Sequence, residues 1–269
     1  MKTRAITGLI FVIVMLGSLL LGQYVFGAFY LVLSLFCLTE FYTLLKKNGL
    51  SPGFATGLLN GLFIYVIVGL IVYQNTPLYH KLLFLITLTA GAVLIQELFK
   101  KSENPFVNIG YTFTGVLSVS LPFVFFHALA YLNGEFNFHY PLAFLLMLWS
   151  NDTGAYLVGR TFGKTKLFER HSPKKTWEGF MGGIIISALA AFIISLFFKE
   201  LQWNQWISVA ILVSLFGTLG DLVESMFKRS INVKDSGGIL PGHGGLLDRF
   251  DGLLLAAPIV YTYLYFITN

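Results

Sequence analysis

The sequence predicts an all-α, polytopic integral membrane protein of about nine transmembrane helices with a cytosolic N-terminus. Three observations carry that expectation: an apolar composition, apolar runs of crossing length repeated along the chain, and a one-sided distribution of lysine and arginine. Of 269 residues, 56% are hydrophobic and 12% charged, and the mean hydropathy is +0.74. Soluble domains carry a charged fraction of about 25%, so the composition argues against a water-soluble fold. Aromatic residues make up 16% of the chain, a share that suits lipid-facing surfaces and interfacial belts.

A helix rising 1.5 Å per residue needs about 20 residues to cross the hydrocarbon. Runs of that kind are expected at 5–22, 24–45, 55–73, 82–98, 109–131, 140–159, 179–198, 204–227 and 252–267. The first follows Met1-Lys2-Thr3-Arg4 like a secretory signal, yet it is long and lacks an Ala-x-Ala cleavage site, so it reads as a retained helix. No linker, composition shift or internal repeat divides the chain. The expected organisation is a single membrane domain over 1–269, with N-terminal helices in 1–130 and catalytic helices and cytosolic loops in 131–269. Gly53, Gly57 and Gly61, and Gly179 and Gly183, repeat at four-residue spacing, which close helix packing explains. Cys37, the single cysteine, rules out an intramolecular disulfide and a thiolate metal cluster.

Nine crossings from a cytosolic N-terminus put sixteen of the eighteen Lys and Arg on the cytosolic side, leaving Lys81 and Lys199 outside. The odd number of helices and the charge asymmetry thus support each other. The net charge of +5 is distributed by the membrane rather than gathered on one soluble face, so no nucleic-acid partner is expected.

Chemistry gathers where two polar cytosolic loops adjoin helices that carry acids at membrane depth. An Asp there costs about 2.5–3.5 kcal/mol on insertion scales and is a functional candidate by default. The sixth run contains Asn151 and Asp152. The eighth carries Asp221, Glu224, Ser225 and Lys228 at spacings that share one helical face. Oxygen ligands of this kind suit a hard cation such as Mg2+. The competing reading is a structural ion pair, which for Glu224 and the nearby Lys228 stands almost level with metal binding.

The loop from Lys234 is rich in glycine, including Gly244 and Gly245, whose backbone N–H groups can approach an anion. Asp248 and Asp251 stand one helical turn apart at the start of the ninth helix. For Asp251 the bland alternative is an N-cap, and for His243 a loop histidine bonded to backbone. The other loop runs from Arg160 through Ser172-Pro-Lys-Lys-Thr-Trp-Glu-Gly179, where Lys174 and Lys175 either hold a triphosphate or anchor the next helix. Two decoys fall away. Gly159 to Thr165 is one residue short of a Walker A loop and follows no strand, and Ser172-x-x-Lys175 lacks the companions of a serine–lysine nucleophile.

The stretch from Ser225 to Asp251 resembles the signature of the phosphatidate cytidylyltransferases, or CDP-diacylglycerol synthases. It carries Ser225, Phe227, Lys228, Arg229, Lys234, Asp235, Gly237, Leu240, Pro241, His243, Gly244, Gly245, Asp248, Arg249, Phe250 and Asp251 without departure. Asn151-Asp152 and Ser172 to Gly179 resemble the same family, so the likeness covers the C-terminal half, whereas 1–130 match only as hydrophobic helices. The resemblance implies Mg2+ dependence, with a second cation possible, a homodimer, and conversion of CTP and phosphatidic acid to CDP-diacylglycerol and pyrophosphate.

On that basis the expected site faces the cytosol at the cell membrane, where lipid-borne and dissolved phosphates can meet. Asp221 and Asp248 are expected to hold Mg2+, with Asp152, Glu224 and Asp251 assisting. Lys228, Arg229 and Asp251 are expected beside the reacting phosphates, and Ser172, Lys174, Lys175, Lys234, His243, Gly244, Gly245 and Arg249 around the substrates. Direct displacement is expected, since the nucleophile is already anionic. Among alternatives, a CDP-alcohol phosphotransferase would need an Asp-Gly-x-x-Ala-Arg signature, but Asp251-Gly252 is followed by Leu253, Leu254, Leu255 and Ala256. A secondary transporter would use Asp152 and Asp221 as a cation pathway, and one-sided polar density weighs against it.

Overall fold

The computed structural model describes residues 2–74, 76–237 and 244–268. Its helices are α1 (Lys2–Leu20), α2 (Gln23–Lys47), α3 (Phe54–Gln74), α4 (Pro77–Phe99), α5 (Pro105–Gly115), α6 (Leu121–Leu129), α7 (His139–Phe162), α8 (Trp177–Phe197), α9 (Trp203–Ser230) and α10 (Leu247–Thr268). A π-helical turn, Val116–Ser120, joins α5 to α6. It stands just before Pro122, whose missing N–H removes a regular helical bond, so the backbone adjusts without breaking the span.

Each expected run falls on a helix, the fifth on α5–α6 together. Among the described residues, seven helical segments are long and apolar enough to cross a membrane: α2, α3, α4, Pro105–Leu129, α8, α9 and α10. The chain is therefore all-α and polytopic, but not specifically nine-spanning. Within α1, the described apolar stretch is Gly8–Leu20. In α7, Asn151, Asp152, Thr153 and Arg160 interrupt the hydrophobic run.

The loop after α7 is not irregular throughout. Strands β1 (Lys166–Phe168) and β2 (Ser172–Thr176) pair antiparallel, with Lys166 opposite Thr176 and Phe168 opposite Ser172. The Thr176 Oγ1 then accepts from the Gly179 N–H at 3.2 Å, capping α8.

The chain divides into two compact units, 1–136 with 235–249, and 137–234 with 250–269. In the first, Tyr42 lies against Gly57 and Gly115, and its hydroxyl donates to the Thr112 carbonyl at 2.6 Å. Gly61 meets Leu38 and Ser120, so the small residues of α3 are packing positions as expected.

In the second unit α7, α8 and α9 pack together. A Cβ on Gly182 would lie 2.5 Å from the Val158 side chain, and one on Gly183 would lie 2.6 Å from Asn151 Oδ1. Only glycine lets α8 approach α7 this closely. Gly217 of α9 similarly meets Leu148 of α7 and Gly252 of α10. Between α8 and α9, Glu200 accepts from Asn137 Nδ2 at 3.0 Å and contacts His139 Nδ1, whose ring stacks on Phe198 with 3.9 Å between centroids.

Candidate active site

In the second unit, α7, α8, α9 and the hairpin enclose a cavity of about 380 Å3. Its polar lining includes Asn151, Asp152, Arg160, Lys174, Lys175 and Asp221, with Tyr156 and Thr218 beside them. Four expected site residues, Asp152, Lys174, Lys175 and Asp221, thus share one space. The Asp221 carboxylate is held from two sides. Lys175 Nζ stands 2.6 Å from Oδ2, and Ser225 Oγ donates to Oδ1 at 3.2 Å. The helical face expected from the 221, 225 spacing is therefore present.

Asp251, in the second turn of α10, lies within electrostatic reach of Asp221, Glu224 and Asp152. It is not an N-cap. Helix α10 begins at Leu247, earlier than the expected 252, and Asp248 occupies its first turn. Glu224 Oε2 is 2.5 Å from Lys228 Nζ and both side chains are buried, so this acid has the ion-pair partner that the bland reading requires. Ser172 sits in β2 opposite Phe168, outside the residues that line the cavity.

Asp248 belongs to the first unit, where it fastens the glycine-rich segment. Its carboxylate accepts from the Ser236 N–H and the Gly245 N–H, each at 3.0 Å. Gly244 has φ +86, a conformation that favours glycine, and a Cβ there would stand 2.9 Å from Asp248 Oδ2. Lys234, Arg229 and Arg249 are exposed, and Arg229 Nη1 donates to the Val233 carbonyl at 3.0 Å. His243 lies outside the described residues, as do Leu240 and Pro241.

Among the described residues, no three His, Cys, Asp or Glu side chains already form a metal-ligating group. The donor chemistry of the cavity nevertheless fits a hard cation. It offers carboxylate oxygens from Asp152 and Asp221, and the buried Asn151 Oδ1 has no hydrogen-bond partner among the described residues. The Lys175 ammonium beside Asp221 shows that this carboxylate attracts positive charge.

Sequence reasoning missed Tyr156 and Thr218, and assigned Glu40 no role. Tyr156 lies one turn after Asp152, and Thr218 one turn before Asp221, so helical spacing from a suspected acid would have found both. Glu40, an acid inside an apolar helix, carries the same membrane-depth signal as Asp221.

Comparison with known proteins adds an independent finding. Residues 2–267 match the cytidylyltransferase family. The chain is 38% identical over 264 residues to the phosphatidate cytidylyltransferase of Staphylococcus aureus (strain COL), covering 97% of each chain. It is 37% identical to that of Staphylococcus haemolyticus (strain JCSC1435), again over 97% of each. The likeness is not confined to the C-terminal half, as the signature alone suggested, but runs through the N-terminal helices as well.

Proposed function

The chain belongs to the cytidylyltransferase family, and from that premise we propose how its own residues carry the reaction. It is a membrane-integral nucleotidyltransferase that converts CTP and phosphatidic acid to CDP-diacylglycerol and pyrophosphate. A phosphate oxygen of phosphatidic acid attacks the α-phosphorus of CTP. The bond from that phosphorus to the oxygen bridging the β-phosphate breaks, and pyrophosphate leaves with the electron pair. The nucleophile is already anionic, so no covalent enzyme intermediate is needed.

The observation that supports this site most is the gathering of Asp152, Asp221, Lys174, Lys175 and Arg160 around one cavity. Two polyanions repel one another, and a site that brings them together must supply positive charge. Lys174, Lys175 and Arg160 bind the triphosphate. Lys228, Arg229, Lys234 and Arg249 serve the lipid phosphate and the departing pyrophosphate. Gly244, Gly245, His243 and Ser172 complete the substrate contacts in this reading.

Asp221 and Asp248 would hold Mg2+, with Asp152 and Asp251 assisting and room for a second cation, while Glu224 serves as the ion-pair partner of Lys228. When bound, Mg2+ neutralises phosphate charge and polarises the reacting phosphorus. Asp248 enters the set from the sequence, where it stands one helical turn before Asp251 in the family-like stretch. Lys175 holds the Asp221 carboxylate in place, and is then available to phosphate oxygens that enter beside it.

The chain works, in this account, as one membrane domain of nine crossings and as a homodimer. Its N-terminus and active site face the cytosol at the cell membrane. The cytosolic assignment is supported by the sixteen of eighteen Lys and Arg that nine crossings gather on one side. A secondary transporter finds no support in the family match.

The test is purified protein with phosphatidic acid, radiolabelled CTP and Mg2+. Label should move into lipid as pyrophosphate is released. A cytidylyl-enzyme trapped from labelled CTP would contradict direct displacement.

A further inference from the structure

Glu40 lies in the apolar helix α2, 5% exposed, and no step of the reaction uses it. An acid at that depth is costly unless it meets suitable partners. Its partners come from the segment that leads into α10. Glu40 Oε2 accepts from the Leu247 N–H at 2.9 Å and from Ser236 Oγ at 3.4 Å. The same Ser236 Oγ accepts from the Asp248 N–H at 3.3 Å, while the Asp248 carboxylate accepts from the Ser236 N–H at 3.0 Å. Glu40 is therefore linked to Asp248 by two hydrogen bonds through Ser236, and holds the residue before it in the chain, Leu247.

The carboxylate sits in a slot between two glycines. A Cβ on Gly237 would lie 2.5 Å from Oε1, and one on Gly245 would lie 2.7 Å from Oε2. Both groups that address Oε2 are donors, whereas Oε1 has no hydrogen-bond partner among the described residues. An acceptor is needed at one oxygen only.

We infer that Glu40 is a positioning residue for cytidylyl transfer, holding both flanks of the glycine-rich segment so that the Asp248 carboxylate is presented in one orientation. The inference rests on the role proposed above for Asp248. It acts through geometry, since a misplacement of about 1 Å at a reacting group can cost on the order of a hundredfold in rate. Glutamine can present its carbonyl oxygen where Oε2 stands and its amide where Oε1 stands, keeping both accepted bonds. Leucine keeps the bulk and suits an apolar helix, but leaves the Leu247 N–H and Ser236 Oγ without their acceptor.

The experiment measures kcat and the KM for CTP of purified full-length Glu40→Leu, Glu40→Gln, Ser236→Ala and Asp248→Asn, together with the thermal midpoint of each. Expected are a fall in kcat of about tenfold or more for Glu40→Leu with KM for CTP within about twofold, and recovery to near wild type in Glu40→Gln. Ser236→Ala should lower kcat several-fold, and add little in the Glu40→Leu background, because the two act on one connection. Wild-type kcat in Glu40→Leu, or a Glu40→Gln as slow as Glu40→Leu, overturns the inference. If Glu40→Leu does not fold, an unchanged kcat in Ser236→Ala overturns it. Full activity in Asp248→Asn would instead remove the reading on which it rests, whereas an inactive Asp248→Asn beside a normal Glu40→Leu removes the positioning role alone.

Discussion

Lys175 Nζ lies 2.6 Å from Asp221 Oδ2, joining the end of strand β2 to the helix α9 that carries the acid. A basic residue contributed by the hairpin therefore holds a carboxylate contributed by a candidate membrane span. Both side chains are partly open to the cavity, so the pair can exchange partners when phosphate enters. Lys175→Met should raise the KM for CTP by about tenfold or more, the scale of one charge-assisted hydrogen bond. Steady-state kinetics with varied CTP check this, and an unchanged KM takes Lys175 out of phosphate binding.

The hairpin is held to α8 by the Thr176 cap on the Gly179 N–H. Thr176→Ala should lose about 1 kcal/mol of stability, read as a lower thermal midpoint in detergent, and Thr176→Ser should restore most of it. Equal midpoints for the alanine and serine variants would show that the cap contributes nothing.

Gly183 leaves room for Asn151, the neighbour of Asp152. A Cβ there forces Asn151 or the helix to move, at a cost of about 1–3 kcal/mol. Gly183→Ala should lower both stability and kcat, since the displaced residue lines the cavity. A variant with wild-type turnover would mean that Asn151 need not hold its position.

Glu224 and Lys228 are both buried and paired. Glu224→Gln leaves a buried ammonium without its anion, and should destabilise the protein by on the order of 3 kcal/mol. The Mg2+ concentration for half-maximal activity should stay where it is. A marked rise in that concentration would return Glu224 to the cation's ligand set.

Burial alone would raise the pKa of Glu200, but hydrogen bonds from Asn137 and the contact with His139 outweigh it and hold the carboxyl below its ordinary value. A carboxylate depressed in the folded state gives its full stabilisation above the unfolded value, about 4.3. That contribution is lost as pH falls through the lower folded value. Thermal midpoints should therefore drop more steeply below about pH 4 in wild type than in Glu200→Gln. Parallel curves would contradict the assignment.

Much of this was legible in the sequence, for identifiable reasons. Apolar runs locate helices because the bilayer imposes length and hydrophobicity together, and the helical face of Asp221 and Ser225 followed from spacing alone. The start of α10 was legible in part, since Asp248 and Asp251 read as one turn apart at the start of the last helix. Gly244 and Gly245 read as loop, and only the structure shows Asp248 accepting the Gly245 N–H to open the helix earlier. Three- and five-residue strands carry too little alternation to announce the hairpin. Glu40 reaches Leu247 across 207 positions of chain, a contact that no local pattern encodes.

The central proposal is that cation-assisted cytidylyl transfer requires both Asp221 and Asp248. Its most direct measurement is pyrophosphate release from CTP and phosphatidic acid by purified wild type, Asp221→Asn and Asp248→Asn, titrated with Mg2+ and accompanied by helical content. Both variants should stay folded and lose about a hundredfold or more in kcat, with no recovery at high Mg2+. Near-normal turnover in either would contradict the claim.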